Sequence, residues 1–208
     1  MCKGTTLLKA AQDNATPMSE TLEVRDEDLV EGAKRGDTDS VSALYERYYD
    51  RVYRFALAKT GSVPDAEDVA QETFIRMVDK LGGFHWQGAP FSAWLFRIAN
   101  NCSVDLHRSR RRLQDALPML VDHGSVDPAE EAELHLTTEE VSVAMQRLSA
   151  AQRDVLSLRF GAELSVAEVA RVLGKAEGTI KATQFQAVQA LRNVLGQGKD
   201  GDALVHAS

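Results

Sequence analysis

The segment from residue 65 to residue 81 constrains the fold of this chain more than any other stretch. Its hydrophobic residues recur every three or four positions, which places them along one side of a helix. Pro64 and the acidic residues that follow it suit a first helical turn, where negative charge faces the positive end of the helix dipole. The predicted buried stripe consists of Val69, Thr73, Phe74, Met77, Val78 and Leu81. The pattern predicts a helix with one buried face and one charged face.

The charged face of this helix has two interpretations. From periodicity alone, a solvated acidic helix end is the ordinary one. However, the run D-A-E-D-V-A-Q-E-T-F at residues 65–74 is similar to region 2.2 of bacterial sigma factors, the helix that binds the clamp coiled coil of RNA polymerase. The resemblance implies that core polymerase is contacted by Asp65, Asp68, Gln71, Glu72 and Arg76.

Composition describes a globular chain. Its 208 residues are 44% hydrophobic and 26% charged, enough for one large or two small domains. It lacks an apolar run long enough to span a bilayer and a signal-peptide pattern, so we expect a cytoplasmic protein without membrane insertion. Cys2 and Cys102 are far apart and form no CxxC motif, so we expect neither a disulfide framework nor a zinc site. Cys102 is expected in the core.

The net charge of −7 is concentrated in one segment. Residues 113–140 hold eight acidic side chains and no Lys or Arg, together with turn-forming Pro and Gly residues. Like charges keep such a segment solvated, so we expect an acidic flexible linker at 113–138. Residues 1–24 show no sustained periodicity and are expected to be a disordered tail, with Met18 as an alternative start. Residues 198–208 are expected to be a C-terminal tail.

The first half of the chain predicts further helices. A short one covers Asp28–Ala33, and a long one begins with Thr38 or Asp39 as its cap and ends at Gly61. The long helix carries four tyrosines at helical spacing, which favour core and core-edge positions over a stacking platform. These are Tyr45, Tyr48, Tyr49 and Tyr53.

A Gly-rich loop at residues 82–90 precedes another helix, which begins at Phe91 and ends in a basic cluster. Cations suit the C-terminal end of any helix. Four arginines within residues 108–112 exceed that need, so phosphate contacts are favoured over a solvated helix end.

The run P-F-S-A-W-L-F-R-I-A-N-N-C-S-V-D-L-H-R at 90–108 resembles regions 2.3 and 2.4 of extracytoplasmic-function sigma factors. In that family, this helix and the preceding loop open the −10 element and hold an extruded base. Base stacking on an aromatic ring contributes ~1–3 kcal/mol, which offsets the cost of unstacking. For Phe84 and Trp86, packing beneath the loop fits the sequence equally well. The implied −10 contacts are Phe84, His85, Trp86, Asn101, Asp105, Arg108, Arg110, Arg111 and Arg112.

Residues 139–197 predict four helices. Ser165 and Glu168 form a capping-box motif, and Gly174 suits the turn of a helix-turn-helix. The run L-S-V-A-E-V-A-R-V-L-G-K-A-E-G-T-I-K at 164–181 resembles sigma region 4, which binds the −35 element. The implied −35 contacts are Glu177, Gly178, Thr179, Lys181, Ala182, Gln184, Phe185 and Gln186.

The second helix of this motif departs from the family pattern. After Lys181 its next cation is the distant Arg192, whereas family members often carry several arginines here. Ala176 replaces a usual hydroxyl residue, and Ser149 stands where proline is common. We therefore expect weaker phosphate contacts in −35 recognition.

Two other classes of protein were weighed. An enzyme is disfavoured because the chain has no phosphate-binding Gly-rich loop, HExxH motif or nucleophile elbow, and its scattered histidines suggest no metal or cofactor. A stand-alone helix-turn-helix repressor or activator is the stronger alternative. It would bind its operator unaided, whereas a sigma factor acquires promoter specificity with polymerase.

The sequence thus predicts an all-α fold with two small helical domains. Residues 25–112 form a region 2 bundle and residues 139–197 form a region 4 helix-turn-helix domain, joined by the acidic flexible linker. The resemblance implies three partners: core RNA polymerase, through its beta-prime clamp and beta flap; promoter DNA, both double- and single-stranded; and an anti-sigma factor.

Overall fold

A computed structural model describes residues 24–86, 88–116 and 138–202, with side chains placed for 24–86, 88–113 and 140–195. Every regular element within these ranges is helical, which confirms the all-α prediction. The helices are α1 (Asp26–Lys34), α2 (Thr38–Thr60), α3 (Val63–Leu81), α4 (Phe91–Ala116), α5 (Thr138–Gln146), α6 (Ala150–Leu156), α7 (Val166–Leu173) and α8 (Glu177–Asp202). A π-helical turn, Ser157–Gly161, continues α6.

The ends of α2 and α3 follow from local side-chain chemistry. Asp37 caps α2, since its carboxylate accepts a hydrogen bond from the backbone N–H of Asp39 at 3.2 Å. The predicted caps, Thr38 and Asp39, instead lie inside the helix. Gly61 ends α2 as predicted, with a left-handed φ of 71°. Ser62 caps α3 by accepting from the N–H of Asp65.

Helices α1 to α4 pack around an aromatic and aliphatic core. Phe55 of α2 and Phe96 of α4 are fully buried and meet edge to face, with ring centroids 5.8 Å apart. Tyr48 is buried, and Tyr49 and Tyr53 pack at the core edge, as predicted. Tyr45 is 43% exposed, with its ring 4.7 Å from that of Phe74. Cys102 is buried, also as predicted.

One member of the predicted α3 stripe is not buried. The side chain of Val78 is 51% exposed, whereas the neighbouring Met77 is 1% exposed. Successive helical residues point about 100° apart, so Val78 falls outside the buried face that includes Thr73, Phe74 and Met77. Val78 instead lines a surface groove between α2 and α3.

Helices α5 to α8 form the second group. The predicted capping box is present: Ser165 accepts from the N–H of Glu168 at 3.2 Å, and Glu168 accepts from the N–H of Ser165 at 2.8 Å. Gly174 ends α7 with a φ of 64°, and α8 begins after a short turn. Ser149, which replaces the family's proline, caps α6 through a second box with Gln152.

The two helix groups share one hydrophobic core, which nothing in the sequence pattern predicts. Val155, Leu158 and Leu164 are fully buried in the same cluster as the phenylalanines of α2 and α4. The backbones of the two groups come close together at Gly161. A Cβ atom there would lie 3.0 Å from the Cα of Phe55.

The predicted linker and tails lie mostly outside the described residues. Helix α4 continues to Ala116, past the expected linker start at 113, and residues 117–137 are not described. Residues 1–23 and 203–208, which include Met18, are also outside the described part, so the predictions for these segments stay predictions. No helix among the described residues is long and apolar enough to cross a membrane.

The left-handed backbone conformation of Gly174 can be tested by substitution. Replacing Gly174 by Ala should lower the free energy of unfolding by about 1 kcal/mol, because a Cβ atom is unfavourable at its left-handed φ. Gly178→Ala is the matched control, since Gly178 is helical, exposed and has open space around it. That variant should be unchanged or more stable by up to about 1 kcal/mol. Urea denaturation measures both, and equal effects would contradict the assigned backbone conformation.

Candidate nucleic-acid and protein interface

The exposed face of α3 carries a row of polar side chains. Asp68 and Gln71 are exposed, and Glu72 and Arg76 are half-buried beside them. Together with residues of α4 they line a shallow groove of about 420 Å³. Four of the five residues predicted for polymerase binding therefore lie on one surface.

The fifth of these residues, Asp65, lies inside the fold. It is 5% exposed, and its carboxylate forms an ion pair with Arg110 of α4. Burial raises the pKa of Asp65, and the guanidinium of Arg110 opposes this shift. Asp65 precedes Val69 and Thr73 at intervals of four residues, so the buried stripe itself was the signal that the sequence interpretation missed.

Arg76 joins the same two helices. Its Nε donates to the Glu72 carboxylate at 2.6 Å, and its Nη1 donates to the Asp105 carboxylate at 2.9 Å. These two hydrogen bonds raise the pKa of Arg76 above its ordinary value. Arg76, which is predicted to contact polymerase, is thus hydrogen-bonded to Asp105, which is predicted to contact the −10 element.

A second groove, of about 750 Å³, lies between α2 and α3 and shares Gln71 and Ile75 with the first. Its apolar lining includes Tyr45, Ile75 and Val78, of which Ile75 and Val78 are each about half exposed. Glu67 and Asp79 add two acidic groups to the lining. The sequence interpretation missed this surface because it treated the charged residues of α3 as the whole docking face.

The structure separates the two aromatic residues of the loop before α4. Phe84 is 4% exposed, with its ring 5.0 Å from those of both Trp86 and Trp94. It is a packing residue here, with no free ring face for a base. Trp86 is 37% exposed and His85 is exposed, so both remain accessible from solvent.

Helix α4 presents several predicted −10 residues on one face. Asn101, Asp105, Arg108 and Arg112 recur at intervals of three and four residues, and all four are exposed. Arg111 is also exposed, on the neighbouring side of the helix. Arg110 is the exception in the cluster because it pairs with the buried carboxylate on α3.

The rotation of α8 is fixed by two fully buried residues, Ile180 and Ala187. Gln184 lies near this inner side of the helix. Its side-chain oxygen accepts a hydrogen bond from Arg159 Nε at 3.1 Å, so part of its amide is already used in a contact within the protein. The remaining predicted −35 residues are exposed: Glu177, Gly178, Thr179, Lys181, Ala182, Phe185 and Gln186.

Comparison with known proteins identifies the family. The family model Sigma-70 region 2 matches residues 44–113, and Sigma-70, region 4 matches residues 144–193. The sigma factor BldN of Streptomyces coelicolor is 38% identical over 182 residues, covering 86% of this chain and 69% of BldN. The sigma factor SigL of Mycobacterium tuberculosis is 32% identical over 168 residues, covering 80% of this chain and 94% of SigL.

Two solved structures also resemble this chain. The structure of CnrH in complex with the cytosolic domain of CnrY matches with a TM-score of 0.63 and 25% identity, covering 83% of this chain and 97% of that one. The sigma factor RpoE from Bartonella quintana, in complex with the anti-sigma factor NepR, matches with a TM-score of 0.64 and 27% identity. This match covers 74% of this chain and 96% of RpoE.

The chain belongs to the sigma-70 family of RNA polymerase sigma factors, and within it to the extracytoplasmic-function group. The prediction of a sigma factor is therefore confirmed. The alternative of a stand-alone repressor or activator finds no support, because the sigma region 2 match at residues 44–113 covers most of the segment that would have served as its sensor.

The ion pair between Asp65 and Arg110 predicts non-additive effects on stability. Arg110→Ala should lower the free energy of unfolding by about 1 kcal/mol at pH 7, since it leaves the buried carboxylate of Asp65 unpaired. The loss should be smaller near pH 4, because the pKa of Asp65 is raised and protonation then removes the unpaired charge. In an Asp65→Asn background, Arg110→Ala should have little effect. Urea denaturation at both pH values measures this cycle, and additive losses would show that the two residues do not interact.

Proposed function

We propose that this sigma factor binds core RNA polymerase through the exposed side of α3. The observation that carries the proposal is the row Asp68, Gln71 and Glu72 standing beside the half-exposed Ile75 and Val78. Protein interfaces combine apolar contact at the centre with polar groups around it, and charge complementarity orients the partner. An acidic rim of this kind favours a basic partner surface, here the beta-prime clamp.

The −10 element is proposed to bind along α4 and the loop before it. The face from Asn101 to Arg112 places polar groups and cations along one line, as a nucleic-acid strand requires. Trp86 has an accessible ring for stacking on an unpaired base. The ring of Phe84 packs edge to face against it, with the two centroids 5.0 Å apart. The non-template strand of the opened promoter is the proposed ligand.

The −35 element is proposed to bind α8 in the major groove of duplex DNA. A helix-turn-helix presents its second helix in this way, and the outward face of α8 is free of internal packing at Lys181, Ala182 and Phe185. With few cations on this face, phosphate attraction is weak. Stable −35 binding then depends on polymerase, with the beta flap as the proposed second contact.

An anti-sigma factor is the proposed regulatory partner. Two structural neighbours, CnrH and RpoE, were solved in complex with CnrY and the anti-sigma factor NepR, respectively. A protein that covers the exposed side of α3 would compete directly with core polymerase.

Charge reversal on α3 tests the polymerase proposal. The double variant Asp68→Lys and Glu72→Lys should weaken binding to core polymerase at least tenfold, equivalent to about 1.4 kcal/mol, because it places cations against a basic surface. Glu27→Lys combined with Asp28→Lys is the matched control, since both residues are exposed acidic positions of α1. Affinity is measured by titrating labelled sigma factor with core enzyme.

Equal affinity of the α3 and α1 variants would refute the docking surface on α3. Run-off transcription with the wild-type chain and core polymerase on genomic fragments completes the test. It shows whether initiation depends on this chain, and it yields the promoter sequence at the same time.

The basic end of α4 has its own test. Replacing Arg111 and Arg112 by Ala should weaken promoter binding by the holoenzyme and flatten the slope of log affinity against log salt by about 1.4 to 1.8, for two lost phosphate contacts. Arg25→Ala with Arg35→Ala removes the same charge from exposed positions near α1 and should leave the slope unchanged. Identical slopes for both double variants would show that the α4 cluster is only a solvated helix end.

A further inference from the structure

The outward face of α8 has an apolar centre. Phe185 is 67% exposed, more than any other large hydrophobic side chain in the described ranges. Ala182 precedes it by three residues and is also exposed, so the two side chains are neighbours on the helix surface. Exposing an aromatic ring to water is unfavourable, and that cost is removed when a ligand covers the ring with an apolar group. This part of the face therefore suits a ligand that offers such a group.

Two amide side chains adjoin this apolar pair. Gln186 and Gln189 are exposed and follow Ala182 by four and seven residues, which places them on the same side of the helix. Gln184 differs from them, because its side-chain oxygen already accepts a hydrogen bond from Arg159. The outward face thus offers apolar groups and exposed amides side by side.

The first turns of α8 allow this face to come close to a ligand. Gly178, four residues before Ala182, is exposed and has open space around it, so no side chain keeps the backbone away from a ligand. A helix-turn-helix places the first turns of its second helix against base edges in the major groove. Ala182 and Phe185 are about 4.5 Å apart along the helix axis, close to the step of about 3.4 Å between base pairs. Neighbouring side chains of this face can therefore meet neighbouring base pairs.

The four bases present different groups to a helix in the major groove. Thymine alone carries an apolar group there, its methyl, which Ala and Phe side chains contact. Adenine offers N6 and N7, which the amide of Gln binds with two hydrogen bonds. Guanine is bound by Arg or Lys, and residues 177–191 contain no Arg and a single Lys, Lys181. The outward face of α8 therefore matches A·T pairs better than G·C pairs.

We propose that α8 recognises A·T base pairs in the −35 element. Ala182 and Phe185 contact the methyl groups of thymine, and Gln186 binds N6 and N7 of adenine. The inference rests on the proposed binding of α8 to the −35 duplex, and it adds the bases that the helix selects. Because phosphate attraction is weak on this face, base contacts supply a larger share of the binding free energy than they would in an arginine-rich helix.

A promoter library tests this preference with the holoenzyme, formed from the full chain and core polymerase. The library carries a randomised −35 hexamer in the promoter that run-off transcription yields, and the bound duplexes are sequenced. The wild-type holoenzyme should enrich A·T pairs at adjacent positions. Gln186→Ala should lower the preference for adenine about fivefold or more at one position, and Phe185→Ala should lower the preference for thymine at a neighbouring one.

Modified bases show whether the contact is made to the groups named. Deoxyuridine lacks only the methyl group of thymine, so this replacement should weaken wild-type binding about fourfold for each contacted methyl. 7-Deazaadenine lacks the N7 acceptor and should also weaken binding. Phe185→Ala should lose most of the first effect at the position assigned to Phe185, and Gln186→Ala should lose most of the second. The same replacements in the spacer between the two promoter elements should leave the affinity unchanged.

Asn193→Ala is the matched control, because Asn193 carries an exposed amide about 10 Å further along α8, and this variant should keep both sensitivities. Enrichment of G·C pairs, or equal affinity for thymine and deoxyuridine promoters, would overturn the inference and leave −35 binding intact. Loss of core-polymerase binding by Phe185→Ala in the absence of DNA would overturn it too, since the ring would then contact protein. A holoenzyme without any sequence preference in the −35 hexamer would refute the proposed role of α8 itself.

Discussion

The packing of α2 is the constraint on which the rest of the structure depends. This helix of 23 residues buries one side against α1, α3 and α4 and a further strip against the turn after α6. Phe55 and Val52 are fully buried because helices approach from several directions. A helix covered in this way has little freedom to move, so the surfaces that its neighbours present to partners are fixed relative to one another. The orientation of α3 and α4 follows from it.

The chemistry of the interface with α2 differs from that of the core. Within the first group, the buried core contacts are mainly aromatic and aliphatic, and ion pairs such as Asp65–Arg110 add to them at its edge. Between the groups, guanidinium and ammonium groups also meet carbonyl and carboxylate oxygens, next to the shared apolar core. Interfaces of this mixed type resemble those between proteins that associate and dissociate. The fold therefore combines one hydrophobic core, shared by both groups, with polar contacts around it at their boundary.

Much of this architecture could be predicted from the sequence because it is local. Helix periodicity, the left-handed glycines at 61 and 174, and the Ser165 capping box each act within a few residues. For Phe84, the sequence left packing and base stacking equally open, because a loop has no periodicity that assigns its side chains to one face. Helix periodicity signals the burial of Asp65, but it does not predict the pairing with Arg110, which is distant in the chain. The contact between helix groups was missed for the same reason, since Arg51 and Ala162 are 111 residues apart.

Arg76 connects the charges on the surface of α3 to those on the surface of α4. Its guanidinium is divided between a carboxylate on each helix, at 2.6 and 2.9 Å. A cationic group that approaches Glu72 from outside competes for that carboxylate and leaves Arg76 to neutralise Asp105 more fully. The negative charge on the face of α4 then falls at the moment α3 is occupied, which lowers the repulsion of any phosphate near Asp105. On the proposed roles of the two helices, Arg76 links protein binding on α3 to anion binding on α4.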